Sequence, residues 1–160
     1  MSSFNRRFLL LGAIALPLAA CGFTPVYGPS GGAGVLRDRV ALQAPGSQND
    51  FWLNGALERN LGIASDPAFD LSYGVSIENA SVAISATNTI TRQDLIGTAR
   101  YTLRNRQTGE TVARGSVRGF TGFSNTGSTQ ATQTARSDAN KRLMQILADQ
   151  ITQDLIAATV

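Results

Sequence analysis

The 160-residue sequence predicts an α+β sandwich, with two helices packed on one face of a largely antiparallel four-stranded sheet. Three observations carry that expectation. From Phe69 onward, apolar and polar residues alternate with period two through three long segments, which is the pattern of strands buried on one face. A stripe at Ala131, Ala135, Ala139, Leu143, Leu147, Ile151 and Leu155 recurs every four residues at the C-terminal end. A shorter stripe at Leu53, Leu57 and Leu61 precedes the first long strand.

At the N-terminus, Arg6 and Arg7 precede an apolar run from Phe8 to Ala20, the charge and length pattern of a signal peptide. The run is shorter than the roughly 20 residues a membrane-spanning helix needs. It ends in Leu18-Ala19-Ala20-Cys21, which resembles the lipobox of bacterial lipoproteins. That resemblance implies cleavage before Cys21 and thioether lipidation of its sulfur. Position 22 is glycine, and aspartate there is what retains many lipoproteins at the inner membrane, so the outer membrane is expected. The division expected is therefore signal peptide over 1–20, lipidated flexible tether over 21–34 and a single α+β domain over 35–160.

Within the domain, the alternation Val35 to Leu42 predicts a first strand ending at Pro45-Gly46. Asn49-Asp50 read as the cap of a helix from Phe51 to Leu61, with Gly62 as its stop. Phe51 and Trp52 read as core. Phe69, Leu71, Tyr73, Val75 and Ile77 then alternate with polar residues, and the apolar parity changes at Val82 and Ile84, which predicts a β-bulge near Asn79 to Ser81. Leu95, Gly97, Ala99, Tyr101 and Leu103 hold the buried face of the next strand, and Ala113 and Val117 that of its partner. Matching faces across this hairpin predict a three-residue loop, Gln107-Thr108-Gly109, with Gly109 left-handed and Arg106 opposite Glu110. The segment Gly119 to Ser128 reads as flexible, with Phe120 and Phe123 either ordering an interface or packing on the core. A helix from about Thr129 to Ala157 closes the chain.

Composition narrows function. There is no histidine, and Cys21 is the one cysteine, so an intrachain disulfide, a thiol–histidine pair and a zinc site are excluded. No nucleophile, base or carboxylate pair stands in a recognisable setting, so no enzyme activity, cofactor or metal is expected. Removing residues 1–20 takes Arg6 and Arg7 with it and lowers the formal charge from +3 by two, to +1, which argues against nucleic acid as partner. Of the 14 basic residues only Lys141 is lysine. Strand parity places Arg100, Arg104, Arg114 and Arg118 on one outward face, where the planar guanidinium fork suits phosphate or carboxylate. A solvated face whose charges block unwanted strand pairing is the competing account.

The lipobox followed by CGFTPVYG, the strand pair TITRQDLIGTARYTLRNRQTGETVARG and the closing helix KRLMQILADQITQDLIA resemble, in that order, the lipopolysaccharide-assembly lipoprotein family LptE. The resemblance implies an outer-membrane lipoprotein that plugs and helps assemble an LptD-like β-barrel and binds lipopolysaccharide during its delivery to the cell surface. It further implies Cys21 as anchor, Arg92 as a lipopolysaccharide contact, and a second contact among Arg136, Lys141 and Arg142. With Arg100 and Arg104 from the arginine face, these are the candidate binding residues. An auxiliary lipoprotein of an ABC-type lipid-trafficking system is the alternative.

Overall fold

Alternation from Phe69 to Ser124 folds into three long antiparallel strands, because only a period of two puts every apolar side chain on one side of a sheet. The computed structural model describes residues 31–84, 90–125 and 128–159. Its elements are α1 (Gly32–Leu36), β1 (Val40–Leu42), α2 (Gln48–Leu61), β2 (Phe69–Ile84), β3 (Ile90–Asn105), β4 (Thr111–Ser124) and α3 (Thr129–Ala158). The sheet order is β1-β2-β3-β4. β1 joins β2 in parallel after the α2 crossover, so the sheet is mixed and only its three long strands are antiparallel to one another.

The odd-numbered residues of the long strands face the helices. Leu71, Leu95, Ala99 and Leu103 are buried there against Leu143, Leu147, Ile151 and Leu155 of α3. Gly97 and Gly119 sit opposite each other beneath α3. A Cβ at Gly97 would lie 2.9 Å from Leu143 Cδ2, and one at Gly119 2.9 Å from Ile146 Cγ2, so their bare backbone is what lets the helix approach so closely. α3 is the helix that lies on the sheet. α2 packs chiefly along α3, where Asn60 Nδ2 donates to Asp149 Oδ1 at 2.9 Å and to Thr152 Oγ1 at 3.3 Å.

α2 touches the sheet through a polar network. Tyr73 Oη donates to Asn54 Oδ1 at 2.6 Å, and Asn54 Nδ2 donates to the Gln43 carbonyl at 2.9 Å. The Gln43 side chain prolongs the β1 ladder beyond the end of that short strand. Its Nε2 donates to the Tyr73 carbonyl at 3.0 Å and its Oε1 accepts from the Tyr73 N–H at 3.1 Å.

Several local expectations change. The strand expected over Val35–Leu42 shrinks to Val40–Leu42, and Gly32–Leu36 instead form a helical turn that buries Leu36 fully. α2 begins at Gln48, not Phe51. Ser47 is its cap, with Oγ accepting from the Asp50 N–H at 3.2 Å while Asp50 Oδ2 accepts from Ser47 Oγ at 2.8 Å. That shift turns Phe51 outward, 65% exposed, while Trp52 packs against the core. The register step lies slightly later than expected, between Ser81 and Ala83 and again between Ala83 and Ile84. The β3–β4 turn is also one residue longer. Val112 is passed over between the Leu103–Ala113 and Arg104–Thr111 pairs, and the Asn105 N–H bonds the Glu110 carbonyl at 2.9 Å. Arg106 therefore enters the turn, and its Nε lies 3.0 Å from Asp70 Oδ1 instead of facing Glu110. Gly109 has φ +72°, the left-handed conformation expected of it. β4 runs through Ser124, so Gly119–Ser124 is strand; Phe123 is buried and Phe120 is 70% exposed.

Candidate functional site

The basic residues form two groups, set by two different elements. β3 and β4 carry the first. With paired residue numbers summing to an even value along most of the hairpin, even positions point away from the helices, and Arg100, Arg104, Arg114 and Arg118 are all exposed on that outer face. Register offsets them, because Arg100 faces Ser116, Thr102 faces Arg114 and Thr98 faces Arg118. None of the four has an ion-pair partner among the described residues. Their charge is left to solvent or to a ligand. Beside them, Ile96 and the exposed Phe120 join Asp94, Arg118 and Gly119 around a shallow cavity of about 400 Å³. Phe120 shares the parity of Arg114 and Arg118, which is the signal in the sequence that places it on this face.

α3 and the far end of β3 carry the second group. Arg92, also outward, lies with its Nε 3.9 Å from Asp94 Oδ1. Its Nη2 would be 3.1 Å from a Cβ at Gly122. Arg142 reaches the same residue from the helix side, Nη2 donating to the Gly122 carbonyl at 3.4 Å. Arg136 leaves α3 in the other direction and donates to Asn79 Oδ1 of β2 at 3.5 Å. Lys141 is exposed beside Arg142. Thus Arg92 and Arg142 converge across the β4 edge, Arg136 straddles the opposite side of α3, and Arg100 and Arg104 stand apart along the outer face. Cys21 lies outside the described residues.

The two ends of the molecule differ. At one, Thr159 Oγ1 lies 3.4 Å from the Gly32 carbonyl, and the Arg106 N–H bonds the Ala68 carbonyl at 2.9 Å, gathering the start of the domain, the end of α3 and the β3–β4 turn. The Arg92 group lies at the other end, about 40 Å up β3 at 3.3 Å per residue. Among the described residues no cluster of acidic, histidine or cysteine side chains could hold a metal, and no helix is long and apolar enough to cross a membrane.

The family model of lipopolysaccharide assembly, LptE, matches residues 36–155, most of the chain. The chain belongs to the LptE family. No curated protein sequence matches it. LptE membership places the protein in lipopolysaccharide assembly. Among solved structures, a chain from Caulobacter crescentus CB15, solved as a candidate lipoprotein, superposes with TM-score 0.68 at 20% identity, covering 81% of this chain and 96% of that one. Rare lipoprotein B from Shewanella oneidensis gives 0.57 at 14% identity, covering 74% and 92%. A minor lipoprotein from Acinetobacter baumannii gives 0.53 at 17%, covering 74% and 89%. At these identities the likeness is one of fold.

Proposed function

We propose that this LptE-family chain is a lipid-anchored outer-membrane lipoprotein that binds lipopolysaccharide at its distal arginines. It does so while plugging the LptD-like barrel that carries the lipid to the cell surface. The observation that supports this best is the convergence of Arg92 and Arg142 on Gly122, at the end of the sheet opposite Gly31. Two guanidinium groups on either side of one strand edge can grip phosphate oxygens from two directions, and each offers a planar fork rather than a point charge. Cys21, preceding the domain, would hold the other end at the membrane, so the phosphate-binding end stands away from the anchoring leaflet. The uncharged polar surface suits a hydrated barrel lumen.

Binding titrations with purified lipopolysaccharide test the reading. Hydrogen bonds to charged groups contribute about 1.5–3 kcal/mol, so Arg92→Ala and Arg142→Ala should each weaken binding by about tenfold or more. Arg100→Ala with Arg104→Ala should do less. Equal effects at both groups would place the lipid on the outer face, and none at either would remove lipopolysaccharide binding from these arginines. Co-purification with a large outer-membrane barrel, against inner-membrane transporter components, separates this function from the ABC-type alternative.

A further inference from the structure

The free edge of β4 carries an inference that goes beyond lipopolysaccharide binding. The Asn125 N–H bonds the Thr91 carbonyl at 2.9 Å, in the same register that pairs Arg92 with Ser124. In an antiparallel ladder only alternate pairs exchange hydrogen bonds, so the odd residues of β4 bond β3 and the even residues aim their N–H and C=O groups out of the sheet. The Gly122 carbonyl, which accepts from Arg142, is one of these outward groups. Those of Arg114, Ser116, Arg118 and Phe120 have no partner among the described residues, and all four residues are exposed. The opposite edge is treated differently, since β1 and then the Gln43 side chain pair β2 up to Tyr73.

An open edge of this length invites a further strand, and charge decides which. A second copy of the same edge would set Arg114 and Arg118 against arginines. Acidic side chains at alternate positions would instead meet Arg114 and Arg118 as cross-strand pairs, with Arg100 and Arg104 behind them. On the helix side, Gln150 stands one turn beyond Ile146, which lies against Gly119, and its buried Oε1 has no hydrogen-bond partner among the described residues. We propose that the outer edge of β4, from Arg114 to Phe120, is a strand-addition site that takes an extended, acidic segment of a partner polypeptide as a fifth strand.

The test uses the full chain in detergent micelles and, as probe, a synthetic nonapeptide alternating threonine and glutamate. On binding, the amides of Arg114, Ser116, Arg118 and Phe120 should gain protection from hydrogen exchange while those of Gly115, Val117 and Gly119 stay as they were. Ser116→Pro deletes an outward N–H and leaves the β3–β4 ladder intact, so it should cost at least about tenfold in affinity. Replacing Arg114 and Arg118 together by glutamine should weaken binding and flatten its salt dependence. Absence of binding by the wild-type chain overturns the proposal. So does an exchange pattern without alternation, or undiminished affinity in a folded Ser116→Pro chain, either of which means the arginines attract the peptide without strand pairing. Concentration-dependent dimers abolished by Ser116→Pro, with no peptide bound, would assign the edge to a second copy instead.

Discussion

Tyr73 shows how much one side chain can hold together. Its hydroxyl, buried between α2 and the sheet, donates to Asn54 Oδ1, and its backbone is paired by Gln43, so three elements meet at one residue. Tyr73→Phe leaves the Asn54 oxygen without its donor and should cost about 1–3 kcal/mol in chemical denaturation, with little change in fold. Burial, and then the nearby Asp50 carboxylate, push the Tyr73 phenol up to about 12. Burial, and then the hydrogen bond and charge of Asp154, push Tyr101 to about 12 as well. In the unfolded chain both titrate near 10, so the folded state holds more protons between about pH 10 and 12. Stability is fully retained below that window and falls as pH rises through it. Thermal melts across alkaline pH should show the fall, and it should shrink in Tyr101→Phe. Glycines offer a second comparison at this scale. A Cβ on Gly97 would meet Leu143 and Leu147 at 2.9–3.1 Å, whereas one on Gly74 would meet nothing within 4 Å. Gly97→Ala should therefore destabilise by about 1–3 kcal/mol, and Gly74→Ala by under about 0.5.

At the scale of elements, the capping of α2 is a local device with a measurable effect. Ser47→Ala removes the acceptor for the Asp50 N–H and should lower stability by about 1 kcal/mol. Asn49→Ala, at the position the sequence pattern suggested as cap, should not. Long strands and α3 were legible because their periods are local and repeated many times; the same parity placed Arg100, Arg104, Arg114 and Arg118 together. What was not legible depended on contacts between distant segments. Val35 fits a strand by alternation, yet Leu36 is captured in the core by way of a helical turn. Arg106 leaves its expected place because Asp70, on another strand, is within 3.0 Å and Val112 bulges to allow it. The meeting of Arg92 with Arg142 was equally hidden, since it depends on where α3 crosses β4. The facing pair Gly97 and Gly119 was the available clue to that crossing.

Across the whole molecule, one axis separates the start of the domain and the close of α3 at one end from the Arg92 group at the other. If Cys21 is the anchor of the first end, Cys21→Ser should abolish incorporation of a palmitate analogue and leave the precursor uncleaved, because serine cannot form the thioether. Persistent labelling would place the anchor elsewhere. Lipopolysaccharide affinity should also fall as salt rises, since exposed guanidinium groups are screened beyond about 10 Å at 0.1 M.

The order of elements also bears on biogenesis. α3 is the last segment of the chain, yet it supplies the cover for β3 and β4, burying Leu143, Leu147, Ile151 and Leu155. If the chain crosses the inner membrane from its N-terminus, as the proposed lipoprotein signal would direct, it emerges as a sheet with one greasy face bare and cannot close until its final stretch has come through. Folding would then be held back to the end of export, and the emerging polypeptide would need chaperones to hold it until then. A nonsense mutation between Asn125 and Leu143 would spare every strand and still yield a species that sticks to itself or is degraded, detectable as loss of the protein with no change in its synthesis.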